Sequence, residues 1–146
     1  MFGRASLPAI PLLVATVALA QSSLPEIWTS KTSSINYRLT MKKQTLRAEK
    51  IFPIEFSSQV AQGAFVRCDY AQQAGAWLGK CESHLPFEAH SGRVKWCKIK
   101  FTSRITLFSP ARIEGESDVW ENSDVDVEKC QVTKSHAQHF LWLPKS

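Results

Sequence analysis

Three side chains between residues 82 and 93 could take part in acid–base chemistry: His84, Glu88 and His90. A histidine titrates near neutral pH, and a carboxylate beside it can orient the ring, which is how general acid–base catalysis is often built. The segment ESHLPFEAHSGR has loop composition, and we predict a long loop there, where functional groups are commonly carried. Histidines that are simply solvated in a polar loop would give the same pattern.

Motifs of established catalytic machinery do not occur in this sequence. The chain contains no G-x-S-x-G, no H-E-x-x-H, no glycine-rich phosphate loop and no EF-hand pattern. Catalytic groups can still meet in space without a local motif, so an enzyme is not excluded. The sequence supplies no positive reason to expect one, and we expect a protein that binds something instead.

Histidines and cysteines are the residues of this chain whose spacing could indicate a metal site. On a helix, His136 and His139 could share a metal, but the following FLWLP favours a strand, which would place them on opposite sides. The cysteines contain no C-x-x-C pair of the kind found in zinc sites. We therefore predict neither a metal nor a cofactor.

One tryptophan and two lysines share the polar face of the segment KWCKIKFTSRITLF, residues 95–108. The alternation is that of a half-buried strand, with Lys98 and Lys100 on the polar side. Trp96 precedes them on the same face. Because alternate residues of a strand share a face, Trp120 on the returning strand of the hairpin is expected on that face too. Exposed tryptophans beside lysines could stack on sugars, aromatic ligands or a partner protein, so these four residues form a candidate ligand or partner surface. A loop that covers the rings is the alternative.

The polar face of this hairpin has acidic partners. After Ser109-Pro110, a three-residue loop would oppose Arg104 to Glu116, Thr106 to Glu114 and Thr102 to Asp118. Such exposed pairs fix register more than they stabilise. All seven acidic residues after position 108 lie between 114 and 128, so the basic body of the chain can be neutralised by its own acidic stretch. We predict a solvated sheet surface and no nucleic-acid partner.

The N-terminus has the order of a secretory signal. Arg4 precedes the apolar run LPAIPLLVATVALA, and the alanines at positions 18 and 20 suit cleavage. We predict a cleaved signal peptide over 1–20, an exported protein that is periplasmic or secreted, and no membrane-spanning segment after cleavage. The mature chain then divides into an N-terminal arm over 21–34 and a single β domain over 35–146.

Four cysteines in an exported chain predict two disulfides. If Ala74-Gly75 is a two-residue hairpin turn, Cys68 faces Cys81 directly, at a separation that a disulfide can bridge. Pairing Cys68 with Cys81 leaves Cys97 to pair with Cys130. The two other pairings remain open at this point.

Period-two patterns cover most of the chain from residue 35 onward. We predict an all-β fold of about eight antiparallel strands, with one short helix near 54–62 that begins after Pro53. The segment DVDVEKCQV, residues 124–132, is expected to be a strand with a bulge between Val127 and Cys130. Because nearly every connection is short, a small meander barrel is the predicted architecture, and a two-sheet β-sandwich is the alternative.

The strand rhythm of residues 35–143, with four cysteines, resembles small exported bacterial β-proteins that contain two disulfides. It also resembles calycin-type barrels, which implies a small apolar ligand in the cup. The lipocalin G-x-W motif is missing, because PEIWTS has no glycine before Trp28. Size and cysteine content are similar to those of periplasmic lysozyme inhibitors, whose cationic target this basic chain would repel. No functional residue is carried over from these families.

Two binding functions follow from these patterns. The first is an exported, disulfide-stabilised β domain that binds a small apolar ligand in an interior cavity near Tyr37, Phe65 or Phe101. The second is a protein-interaction or envelope structural module that uses the exposed Trp/Lys face. The ligand or protein partner itself is not identified by the sequence.

Overall fold

A computed structural model describes residues 23–146, which form a closed barrel of eight antiparallel strands. The predicted signal peptide at 1–20 lies outside the described residues. The strands are β1 (Ile27–Ser30), β2 (Asn36–Lys42), β3 (Thr45–Ile51), β4 (Phe65–Gln73), β5 (Ala76–Glu88), β6 (Val94–Ser109), β7 (Arg112–Val119), β8 (Val125–Asp126), β9 (Gln131–Val132) and β10 (His136–Pro144).

The barrel is an up-and-down meander. Consecutive strands pair from β1 to β7, and β10 then pairs with β7 on one side and with β1 on the other. Closure leaves no unpaired edge in this sheet, which protects it from edge-to-edge association. The predicted all-β meander barrel is confirmed, and the sandwich alternative is not what the chain forms.

The two ends of the barrel differ in the length of their connections. Two-residue turns at 43–44, 74–75 and 110–111 join strands at one end. The other end carries the longer connections 31–35, 52–64, 89–93 and 120–135. The second of these contains a 3-10 turn (Ile54–Phe56) followed by α1 (Ser57–Ala61), so the predicted helix near 54–62 is confirmed.

The core fills the half of the barrel nearest the tight turns. Trp28, Leu46, Ile105 and Ile113 are all completely buried there. Tyr70 lies across Gly79, where an added Cβ atom would sit 2.6 Å from the tyrosine ring. The absence of a side chain at Gly79 therefore makes room for the Tyr70 ring in the centre of the barrel.

Both predicted disulfides are present. Cys68 and Cys81 are direct partners in the β4–β5 ladder, with Cα atoms 4.0 Å apart. Cys97 on β6 is bonded to Cys130, which lies 33 residues further along the chain. The first bond closes a hairpin, and the second fastens the connection 120–135 to the barrel wall.

The segment predicted as an N-terminal arm contains β1, so the barrel wall begins earlier than expected. Trp28 is completely buried and Ser30 is 2% exposed, because both side chains point into the barrel. The strand has four residues, and one of its two inward positions is a serine. This hides the period-two pattern that the longer strands display.

The predicted long loop over 82–93 is wrong for most of its length. β5 continues to Glu88, and only residues 89–93 form the connection to β6. The strand alternates here as well, with Ser83 and Phe87 buried and His84 between them on the outer side. Serine, histidine and proline at these positions give the strand the composition of a loop.

Two details of the later hairpins also differ from expectation. Residues 124–132 do not form a barrel strand, because β8 and β9 pair with each other around a turn in which Cys130 has φ 51°. In the β6–β7 hairpin, the turn has two residues and a bulge lies between Ile105 and Leu107. Arg104 lies opposite Glu116 as predicted, but the bulge places Leu107 opposite Glu114, so the predicted pairing of Thr106 with Glu114 is wrong.

Candidate functional site

A cavity of about 280 Å³ occupies the half of the barrel that faces the long connections. This volume is at the lower limit of small-molecule sites, which range from about 300 to 1,000 Å³. Every strand of the barrel wall except β5 contributes to it. The side chains on which its chemistry depends are Tyr37, Lys50, Phe101, Trp120, Phe140 and Trp142.

Aromatic rings form much of the cavity wall. Trp142 on β10 stacks on Tyr37 with ring centroids 4.7 Å apart, and on Phe140 with centroids 4.5 Å apart. Trp120 meets Phe101 edge to face at 5.3 Å. Aromatic side chains in such contacts are held firmly and offer large apolar surfaces, which favours binding of an apolar or aromatic molecule.

The polar groups deepest in the cavity are satisfied by one another. The hydroxyl of Tyr70 donates a hydrogen bond to Oγ of Ser103 at 2.9 Å, and that Oγ donates to the carbonyl oxygen of Glu116 at 3.2 Å. Burial raises the pKa of Tyr70, so its hydroxyl stays protonated. These groups therefore line the cavity without demanding a polar ligand.

Lys50 is a charged residue on a cavity wall that contains other polar side chains as well. It follows Leu46 and Ala48 on the inward side of β3 and lies directly opposite Tyr37 in the β2–β3 ladder. Its ammonium lies 4.9 Å from the centroid of the Phe52 ring. Burial lowers the pKa of Lys50 and raises that of Tyr37, because both charged forms are disfavoured away from water.

The connection 120–135 closes one side of the cavity. Val125 packs with Phe87, Cys97 and Ile99 in a second apolar cluster, which the small β8–β9 sheet covers. Trp120 belongs to the margin of this cluster and also lines the cavity. We call residues 120–135 the closing segment. Its position depends on the Cys97–Cys130 disulfide and on Trp120.

The predicted Trp/Lys surface is divided between two sides of the barrel wall. Trp96 lies on the outer face of β6, where its ring centroid is 5.0 Å from that of His84. Lys98 and Lys100 are exposed on the same face. Trp120 lies at the cavity instead, so the structure does not bring the two tryptophans to one surface.

The three predicted acid–base residues are not brought together either. Nδ1 of His84 donates a hydrogen bond to the carbonyl oxygen of Gly63 at 2.9 Å, and the ring also contacts Phe65. Glu88 and His90 are exposed, at the end of β5 and in the loop after it. Within residues 23–146, the hydrogen-bond partner of the His84 ring is a backbone carbonyl and not the predicted carboxylate.

Phe65 is the one residue of the three alternatives given for the cavity's position that does not line it. Val66, Cys68 and Tyr70 point inward from β4, so Phe65 faces outward and carries the guanidinium of Arg67 at 4.5 Å from its ring centroid. Tyr37 and Phe101 line the cavity as predicted. Sequence reasoning missed Lys50, although the spacing of Leu46, Ala48 and Lys50 was the signal that could have found it.

The outer face of β6 has two of the three acidic neighbours that were predicted for it. Oγ1 of Thr102 donates a hydrogen bond to Oδ2 of Asp118 at 2.7 Å, and Arg104 lies opposite Glu116. No group of three His, Cys, Asp or Glu side chains within residues 23–146 is arranged to hold a metal ion. No helix in that same range is long and apolar enough to span a bilayer.

Comparison with known proteins supplies no functional assignment. No protein family matches the chain, and neither the curated proteins nor the solved structures include a significant match. The geometry of the cavity is therefore the basis on which a function can be inferred.

Proposed function

We propose that this protein is an exported binding protein that holds a small apolar ligand in the open half of its barrel. The cavity between Tyr37, Phe101, Trp120 and Trp142 is the observation that carries this proposal. A small barrel that served only as a structural module would gain stability by filling this space, because unfilled volume in a core is destabilising. The aromatic lining supports an apolar or aromatic ligand.

Export is supported by the two disulfides, because such bonds persist in oxidising compartments such as the periplasm or the exterior of the cell. The signal-like sequence at residues 1–20 has the same implication. A carrier or sensor of a small apolar molecule fits this location, because such molecules are poorly soluble in the aqueous space that they must cross.

The alternative function, a partner surface built on Trp96, Lys98, Lys100 and Trp120, has less support. It requires the two tryptophans to share a face, whereas Trp120 lines the cavity. It also requires a filled core, which the barrel lacks near its open end. We therefore prefer the cavity as the functional site.

The test is a titration of mature protein with N-phenyl-1-naphthylamine, a neutral apolar probe whose fluorescence rises in apolar surroundings. We expect saturable binding with micromolar affinity, together with quenching of tryptophan emission. A Ser117→Phe variant would place a ring in the cavity, because Ser117 lies on its wall. A Thr40→Phe variant on the exposed outer face of β2 is the matched control.

Ser117→Phe should abolish probe binding while Thr40→Phe leaves it unchanged. Thermal unfolding of each variant shows whether the barrel is intact. If Ser117→Phe does not fold, Val66→Phe fills the same cavity from β4. Failure of the wild-type protein to bind the probe, or undiminished binding by a folded, filled variant, would contradict the proposed function.

A further inference from the structure

A cation that forms no ion pair within the described residues lies on the wall of the cavity, which it shares with several aromatic side chains. Lys50 is half-buried, and five ion pairs are found among residues 23–146, none of which includes it. Its one specific contact is with the ring of Phe52, two positions along the chain. A partly desolvated ammonium without an anion is costly, whereas most lysines extend their charge freely into water.

The carboxylates nearest to Lys50 in the sheet are directed elsewhere. Glu49 is its chain neighbour, so its side chain leaves the opposite face of β3, where it lies across from Arg38 and Arg67. Asp118 is the one carboxylate among the cavity residues, and it accepts a hydrogen bond from Thr102. The described residues therefore offer the Lys50 ammonium no carboxylate within 4.0 Å.

Tyr37 supplies a second donor from the neighbouring strand. It lies opposite Lys50 in the β2–β3 register, and its ring is fixed by stacking on Trp142. A protonated phenol and an ammonium at facing positions of adjacent strands could both donate to a carboxylate bound between them. The aromatic surfaces of Phe101, Phe140 and Trp120 lie in the same cavity and would receive an apolar body.

We infer that the ligand is a monoanionic amphiphile of carboxylate type, whose headgroup pairs with Lys50 and Tyr37 while its apolar part lies on the aromatic wall. This inference rests on the proposed function, because it specifies the ligand of the same cavity. The cavity volume of about 280 Å³ favours a short or medium-length apolar part.

The test compares decanoate with decanol, which share a chain and differ in the headgroup. Each displaces N-phenyl-1-naphthylamine from the mature protein, below the concentration at which decanoate forms micelles. We expect decanoate to displace the probe about tenfold more effectively, since a charge-assisted hydrogen bond contributes about that factor in affinity. Lys50→Met should remove this preference and leave displacement by decanol unchanged.

Two further variants control for the loss of charge and for folding. Lys80→Met removes a lysine from the exposed outer face of β5, so the preference for decanoate should persist. Lys50→Arg keeps a cation at the cavity and should retain most of the preference. If Lys50→Met were unfolded, Tyr37→Phe would test the same headgroup site, with an expected loss of a few-fold for decanoate alone.

The two proposals fail in different ways. Equal displacement by decanoate and decanol, or a preference that survives in folded Lys50→Met, would overturn the carboxylate inference and leave the apolar cavity standing. A wild-type protein that binds no probe would overturn the proposed function and the inference with it. A preference that is lost equally in Lys80→Met would show a general charge effect and would also overturn the inference.

Discussion

Trp120 meets Phe101 edge to face, with ring centroids 5.3 Å apart and an interplanar angle of 75°. This contact joins the closing segment to the barrel wall at the place where the cavity opens. Phe101 belongs to β6, whereas Trp120 is the first residue after β7. The two rings therefore couple the position of the closing segment to the shape of the cavity.

Replacement of Trp120 by alanine should weaken binding of N-phenyl-1-naphthylamine by about tenfold, because the ligand loses one aromatic wall. The free energy of unfolding should fall by about 1–3 kcal/mol, less than for a fully buried tryptophan. Trp96→Ala, a half-buried tryptophan on the outer face, is the matched control and should leave probe affinity unchanged. The reverse order of effects on affinity would place the binding surface on the outer face instead.

Loss of the Cys97–Cys130 bond should destabilise the protein more than loss of the Cys68–Cys81 bond. The first closes 33 residues and the second 13, so the chain-entropy relation gives about 4 and about 3 kcal/mol respectively. Urea unfolding of the two double Cys→Ser variants measures the difference. Equal losses would mean that the closing segment is held mainly by its apolar contacts.

The barrel itself could be predicted because its signals are local. Alternation of apolar and polar residues sets the face of each strand, and the turn at Ala74-Gly75 then sets the register that brings Cys68 to Cys81. The same reasoning places Arg104 opposite Glu116. Where the alternation of apolar and polar residues and a tight turn can both be recognised, the sequence alone predicts which residues pair across the two strands.

The candidate site was only partly predictable, because it depends on how the barrel closes. β1 is short, and its contribution to the wall becomes clear only when it pairs with β10. Trp120 leaves the hairpin pattern when β7 ends, so parity no longer indicates its direction. Lys50 has an inward position in an alternating strand, yet a lysine there is normally assigned to solvent.

Gly115 should not tolerate even a methyl group. A Cβ atom at this position would overlap the carbonyl oxygen of Arg104 on the neighbouring strand, and would lie 2.7 Å from the ring of Phe140. The carbonyl belongs to the sheet and cannot move aside without breaking the ladder. We expect Gly115→Ala to lower the free energy of unfolding by at least about 1 kcal/mol, as measured by urea denaturation.

The adjacent inward residue provides the control for this substitution. Ser117→Ala, two residues along the same face of β7, removes an atom instead of adding one and should change stability by less than about 1 kcal/mol. If Gly115→Ala were as stable as the wild-type protein, β7 would have to separate from β6 at the neighbouring bulge between Ile105 and Leu107.

Lys50→Met should stabilise the ligand-free protein at neutral pH, even though it weakens binding of decanoate. Burial lowers the pKa of Lys50 from 10.5 in the folded state, so the charged form is disfavoured there relative to the unfolded chain. The charge therefore destabilises the folded protein below the folded-state pKa. This cost fades as pH rises through that pKa, and it is absent above 10.5.

The pH-dependent gain from Lys50→Met is expected to be below about 1 kcal/mol, because the side chain is only half-buried. Urea unfolding of wild type and variant from pH 7 to 10.5 measures it, and the difference between the two should narrow as pH rises. Any gain from apolar contacts of the methionine is independent of pH and remains. Lys80→Met, on the exposed outer face, should show no such narrowing. A Lys50→Met variant less stable than wild type at pH 7 would mean that Lys50 supports the fold, and its role at the cavity would then be structural.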